Sequence, residues 1–423
     1  MEWTKGVDIM GKTILIVATL DTRGDEVEYL KRILEESGHQ TLVLDAGVMG
    51  TPLFSGDFPR EKVAEAGGKT LTELVEAAEK GADRFEATKI MMEGVRAITR
   101  ELQSQGKVDG VIGLGGTTAA ALGVAAMKEL PIGMPKLLVT TFIDPGTIGD
   151  EDITVMQTPI DLVGMNKIIE KVLSNAAGAV TGMVERGLPP AIGARPLIGL
   201  TALGVTTPAV QKVISRLERA ERDAVVFHAK TTMLDRLAQT AMVDGVIDIT
   251  PFEVIPMALY PTEYVARLVG APEVRRERLV NVLARGLPWV IAPGGLDMHI
   301  FPGTGIDSVP EEFRDRAWTM HGPGIVLVRT SSEELKKVAT FIAEATRRAS
   351  GPVAVVIPLR GFSEASREGA PLFDPQADRA FIETVKGSLG EEVEVVEVDC
   401  HINDEEFADA VMETFERILD RGR

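Results

Sequence analysis

The residues best suited to chemistry in this chain stand just behind short apolar runs. The segment Gly113-Leu114-Gly115-Gly116-Thr117-Thr118 joins one such run to an alanine-rich stretch. Glycines let a backbone approach a phosphate with no Cβ in the way. A helix starting there turns free N–H groups and the positive end of its dipole on an anion. The threonine hydroxyls add hydrogen bonds. The same residues also suit a tight strand-to-helix turn with threonine as its cap. No Lys-Ser or Lys-Thr follows, so this is not a Walker A loop, and the third glycine of the dinucleotide fingerprint is missing. Gly115, Gly116, Thr117 and Thr118 are candidate phosphate contacts.

Charge partners for a phosphate lie upstream. The apolar run 13–20 ends in Asp21-Thr22-Arg23, and Arg84 opens a helical stretch whose inner face carries Ile90, Met91 and Val95. Arg23 and Arg84 are the candidate cations, each with a solvated surface arginine as the alternative. Asp21 could receive a ribose hydroxyl or help hold a cation, or it could simply start a helix. The Met91–Met92 pair reads as core filling.

Four of the five histidines, His228, His299, His321 and His401, lie in the second half, three of them beside strand ends near Lys230, Asp297 and Asp399. With Glu253 they are candidates for general acid, general base or metal ligand. None has the spacing of a metal motif, so no metal site is assigned. His228, Asp297, His299 and His401 are the candidate catalytic residues, and helix capping and loop hydrogen bonding are the competing explanation. Arg329 and Arg360 also follow apolar runs. They could hold a carboxylate or phosphate, or pair with the many acidic residues.

These groups need elements to position them. The runs 13–20, 42–44, 108–114, 136–142 and 153–157 read as strands. Between them fall a helix carrying Val27, Leu30, Ile33 and Leu34 on one face, helical stretches at 69–80 and 84–104, an alanine-rich helix and a last helix through 162–183. Residues 51–60 read as loop. The proline-rich stretch 186–196 reads as a linker between a domain at 1–185 and another at 197–423. The second domain repeats the alternation, with strands at 197–200, 224–227, 246–249, 288–292, 325–328, 353–357 and 393–398. Continuous apolar strands alternating with amphipathic helices mean parallel sheets covered on both faces. The fold class is α/β, with two Rossmann-like domains, each a mainly parallel sheet flanked by helices. Such sheets bind ligands at the carboxyl ends of their strands, where the candidates above fall.

Taken in order, the motifs resemble a family related to the ATP-binding inhibitory region of the tomato mosaic virus resistance protein. The resemblance spans essentially the whole chain. It rests on Ala18-Thr19-Leu20-Asp21-Thr22-Arg23, Val111-Ile112-Gly113-Leu114-Gly115-Gly116, Leu130-Pro131-Ile132-Gly133 and Leu173-Ser174-Asn175-Ala176-Ala177-Gly178. In the second half it rests on Gly204-Val205-Thr206-Thr207-Pro208, Phe227-His228-Ala229, Leu296-Asp297-Met298, Phe373-Asp374-Pro375 and His401-Ile402-Asn403-Asp404. What it implies is ATP, with Mg2+ as an optional companion, on Asp21, Thr22, Arg23, Arg84, Gly116, Thr117, Thr118 and Ala119, with the adenosine end near Leu42. This family usually reads Gly-Gly-Ser-Gly-Gly-Thr where this chain has Gly115-Gly116-Thr117-Thr118-Ala119-Ala120, so backbone access to the phosphates is narrower. After His228 the family's glycine-rich stretch is replaced by Lys230-Thr231-Thr232-Met233-Leu234.

Composition narrows the partners. The net charge of −18, spread along all 423 residues, repels nucleic acid and anionic membrane. No apolar run reaches the roughly 18–20 residues that span a bilayer, and no signal peptide is evident at the N-terminus. A single cysteine, Cys400, fits a reducing cytoplasm. A homodimer is the expected assembly. Two functions follow. One is a nucleotide-binding protein with a regulatory or partner-binding role. The other is an enzyme acting on a small anionic metabolite in a cleft between the domains, lined by His, Asp and Arg.

Overall fold

Strand β1, Thr13–Ala18, alternates its side chains between two apolar faces, as a doubly covered strand must. Ile14, Ile16 and Ala18 join one buried cluster, while Leu15 and Val17 join another. The computed structural model describes residues 11–79, 84–186, 195–261 and 277–421, without the side chains of residues 78, 79, 84, 85 and 145. Contacts divide the chain into two units, Met1–Ala191 and Ile192–Arg423. Most of the expected linker lies outside the described residues.

The first unit adds β2 (Gln40–Asp45), β3 (Gly110–Gly115), β4 (Lys136–Thr140) and β5 (Thr154–Gln157). All five strands are parallel, in the order β2-β1-β3-β4-β5. Helices Leu20–Glu36 and Lys167–Arg186 cover one face through Val27, Leu30, Leu34, Ile169 and Leu173. Helices Arg60–Ala66, Leu71–Glu79, Arg84–Ser104 and Thr117–Met127 cover the other through Val63, Leu74, Met91, Val95 and Leu122. Each fully buried aliphatic side chain contributes about 1.5–3 kcal/mol, so β1 and β3 are rigid supports for the loops at their ends. The stretch 51–60 is loop only as far as Pro59. Arg60–Ala66 is a helix, set against β2 by a bridge between Leu44 and Phe58.

The second unit places six parallel strands in the order β14-β13-β9-β8-β6-β7. They are β6 (Leu197–Thr201), β7 (Asp223–Phe227), β8 (Gly245–Asp248), β9 (Trp289–Ile291), β13 (Val353–Pro358) and β14 (Glu394–Val398). Between β9 and β13 the chain builds a separate antiparallel sheet, β10-β12-β11, from β10 (Met298–Pro302), β11 (Trp318–Met320) and β12 (Ile325–Arg329). The run 325–328, expected in the parallel sheet, belongs here. Antiparallel neighbours need only a short connection, and β11 and β12 are joined by residues 321–324. Set this insert aside, and both sheets share one strand order, with the first strand flanked by the second and third.

Among the described residues no helix is long and apolar enough to cross a membrane.

Candidate functional site

In a sheet of this order, the loops leaving the first and third strands diverge to opposite faces, and the crevice between them is the favoured ligand position. In the first unit that crevice holds a cavity of about 590 Å³. Four stretches line it: Thr19 and Asp21–Arg23 after β1, Ala46–Met49 after β2, Ala87, Thr88 and Met91 on the long helix, and Gly116–Ala119 with Leu122 after β3.

The β3 end of the cavity is built from Gly115 onward. This glycine has φ +145°, and an added Cβ would lie 2.5 Å from that of Ala119. Its freedom permits the sharp exit from β3. Gly116 follows as the extended N-cap of helix Thr117–Met127, with no side-chain cap. The first helical bond runs from Ala120 N–H to Gly116 O at 2.8 Å. Among the described residues, the N–H groups of Thr117, Thr118 and Ala119 therefore have no backbone acceptor. They are the orphan donors that a helix start offers to an anion.

The facing wall comes from the start of helix Leu20–Glu36, which is broken at Arg23 (φ −134°, ψ 21°). Thr22 and Arg23 both donate their N–H to Thr19 O, at 3.1 and 2.9 Å, and the Thr19 and Thr22 hydroxyls meet at 2.8 Å. Arg23 bonds its neighbour's carbonyl, Thr22 O, through Nη1 at 2.8 Å, and its Nη2 stands 3.7 Å from Asp161. Among the described residues, its buried Nε has no hydrogen-bond partner, and neither has Asp21 Oδ1.

Asp45, at the end of β2, ties the walls together. Its Oδ1 accepts Leu20 N–H at 3.0 Å and Gly47 N–H at 2.9 Å. Burial raises its pKa; the two N–H bonds oppose that rise, the Asp21 charge adds to it, and Arg60 offsets part of it. Gly47 fits where it does because an added Cβ would be 2.9 Å from Asp21 Oδ1 and 3.1 Å from Asp45 Oδ1.

Of the residues predicted for this site, Asp21, Thr22, Arg23, Gly116, Thr117, Thr118 and Ala119 are brought together around one cavity. Gly115 lies just behind it. Leu42 sits mid-strand in β2, opposite Leu15, and packs on the core rather than lining the cavity. The side chain of Arg84 lies outside the described residues. Ala46–Met49 were not foreseen, although the rule that ligands bind at strand ends applied equally to β2. Arg60, expected in a loop, opens the helix Arg60–Ala66.

Of the second unit's candidates, only Asp297 and His401 are seen to share a partner. His228 is exposed after β7. His299 is buried on β10 between Tyr260 Oη, 2.9 Å from Nδ1, and Glu334 Oε2, 3.2 Å from Nε2. Burial works against the Glu334 charge, but hydrogen bonds from His299 and Arg316 overcome it and hold that carboxyl well below its usual range. His401 accepts at Nδ1 from Arg367 at 3.0 Å and from Asn403 N–H at 3.2 Å, so Nε2 carries the proton donated to Ser363 O at 2.9 Å. Burial lowers its pKa, favouring the neutral ring. Asp297 accepts from Ser363 Oγ at 2.5 Å. Ser363 thus links Asp297 with His401, through its hydroxyl and its carbonyl. Arg360 is exposed and pairs with Asp399 at 2.8 and 2.7 Å.

Two buried ion clusters hold the strand ends of this unit. Arg278 bridges Asp248 and Glu253, while Thr201 Oγ1 donates to Asp248 at 2.7 Å. Arg329 donates to Asp297 O at 2.9 Å and also bonds the carboxylate of Asp378. Burial pushes Asp378 up to about 7 despite that arginine, with the Asp297 charge adding to the rise. No group of three or more metal-ligating side chains is found among the described residues.

Comparison with known proteins gives matches along nearly the whole chain. Residues 12–188 match the N-terminal domain, and residues 195–419 the C-terminal domain, of the uncharacterised protein family UPF0261. A UPF0261 protein of Clostridium tetani is 35% identical over 419 residues, covering 97% of this chain and 100% of the relative. One from Rhizobium meliloti is 33% identical, covering 96% and 99%. The ToMV resistance protein Tm-1(GCR237) of Solanum lycopersicum is 33% identical over 351 residues, which are 80% of this chain and 45% of the tomato protein.

Proposed function

This chain belongs to the UPF0261 family, and we propose that its N-terminal unit binds a nucleotide, ATP in the first place, with or without Mg2+. The observation that carries this reading is the meeting of three unpaired helix N–H groups with Arg23 across one cavity at the crevice of a β2-β1-β3-β4-β5 sheet. The cavity volume suits a ligand of nucleotide size. Phosphate oxygens would take the N–H groups of Thr117, Thr118 and Ala119 and the Arg23 guanidinium. The apolar side, Val48, Met49, Ala87, Met91 and Leu122, offers a surface for a base. The role proposed with it is regulatory or partner-binding. The proposed setting is a homodimer in the cytoplasm.

The test is calorimetric titration of the full chain with ATP, ADP, GTP and NAD, with and without Mg2+, alongside an assay for released phosphate. Saturable ATP binding without hydrolysis is the expected result. Arg23→Ala should weaken it about ten- to a hundredfold, since a charge-assisted bond is worth roughly 1.5–3 kcal/mol. Thr117→Val should weaken it less. No saturable response to any nucleotide would overturn the reading.

A further inference from the structure

One cation beside the cavity does not line it. Arg60 has a side chain only 15% exposed, and its Nη1 donates to two carbonyls, Met49 O at 3.0 Å and Gly50 O at 2.7 Å. Met49 ends the stretch Ala46–Met49, which forms the β2 wall of the cavity, and Gly50 follows it directly. The backbone just before Arg60 is itself fastened to β2: Asp45 N–H donates to Phe58 O and Phe58 N–H donates to Val43 O, both at 3.0 Å. The excursion from residue 46 to residue 57 is thus closed at its base by the strand and near its tip by the arginine. Its tip rests on Asp21, for an added Cβ at Gly50 would lie 3.1 Å from Asp21 Cβ. Asp21 and Asp45 put two carboxylates at this end of a cavity that is to accept phosphates; the Asp21 charge raises and the Arg60 charge lowers the Asp45 pKa, and the exposed Glu61 stands 3.6 Å from Arg60 Nε.

We infer that Arg60 is the positioning residue of this cavity: it clamps the wall 46–50 against Asp21 and supplies the charge that balances the two carboxylates. It touches no ligand in this role. A guanidinium suits the task because one planar group can serve adjacent carbonyls and keep its charge at every relevant pH. A lysine in its place would keep the charge and lose that geometry. The ligand readout below rests on the nucleotide reading; the other two readouts do not.

The experiment compares the full chain with Arg60→Ala and Arg60→Lys in three ways. Without ligand, amide exchange over residues 46–50 should quicken at least tenfold in both variants. Also without ligand, the Asp45 carboxyl, followed by carbon NMR, should titrate higher in Arg60→Ala than in the parent and near the parent value in Arg60→Lys. With ATP, the affinity of Arg60→Ala relative to the parent should be at least tenfold lower at pH 7.5. That ratio should recover as the pH is lowered and Asp45, whose pKa burial raises, takes up its proton. A merely structural arginine would give a loss independent of pH and no change in the Asp45 titration. Unchanged exchange at 46–50 together with an unchanged Asp45 titration in Arg60→Ala would overturn the inference. If the parent binds no ATP, the nucleotide reading falls, while the two ligand-free measurements still decide the role of Arg60.

Discussion

The buried carboxylate of Asp45 accepts the backbone N–H of Leu20 at 3.0 Å, tying the exit of β2 to the exit of β1. Asp45→Ala would strip the acceptor from Leu20 N–H and from Gly47 N–H. Each buried donor left unpaired costs ~1–3 kcal/mol, so a loss of about 2–6 kcal/mol is expected from the denaturant midpoint. Asp45→Asn keeps one acceptor oxygen and should lose less. The sign with pH is also fixed. Burial raises the folded pKa of Asp45, so the folded state holds the proton more tightly and parent stability falls as pH rises through that interval. The alanine variant should lack this slope.

Arg278 sits between Asp248 and Glu253 with all three side chains buried. Removing one partner of a buried pair leaves an uncompensated charge and costs about 3–5 kcal/mol. Arg278→Ala is therefore expected to lower the stability of the second unit by that order, measured by chemical unfolding. Pairing Arg278→Met with Asp248→Asn and Glu253→Gln should recover much of the loss. Failure of the single variant to destabilise would show that water reaches this cluster.

Asp378 gives a second pH signature. Its carboxyl is pushed up to about 7, chiefly by burial. Between the unfolded carboxyl range near 4 and that value, the folded state binds the extra proton, so stability falls as pH rises, by at most about 1.4 kcal/mol per pH unit. Asp378→Asn should gain on the parent across this window and track it above pH 8. Thermal unfolding at pH 5, 6, 7 and 8 reads this out. A constant difference at all four values would contradict the assignment.

Much of the first unit can be read from residue type alone. Thr13–Ala18 and Gly110–Gly115 are apolar on both faces, so their period and length leave little choice of element. The polar residues that stop them, Asp21–Arg23 and Gly116–Thr118, then fall at one end of the sheet. Met49 and the Asp45–Leu20 bond are less visible. Their role depends on how the stretch after β2 folds back, which Arg60 and the Phe58 bridge decide from a distance. Leu42 illustrates the converse, since its apolar side chain suits a base surface and a core equally well.

The second unit resists such reading for a different reason. Its histidines look like catalytic groups because they are rare and close to strand ends. Yet His299 is held by Tyr260 and Glu334, and His401 by Arg367, Asn403 and Ser363. Partners from sequence positions so far apart carry no local signal. Strands β10 and β11 are short, and Pro302 and the exposed Trp318 obscure their alternation.

The cavity of the first unit borrows each of its walls from a different stretch of chain, with 19–23, 46–49, 87–91 and 116–122 meeting only when β2, β1 and β3 lie side by side. No fragment carrying one of these stretches owns a partial version of it. Occupancy is therefore a report on assembly: a ligand at a hundred times its Kd adds about 2.7 kcal/mol to the folded state, and that increment braces the whole five-stranded sheet rather than any single loop.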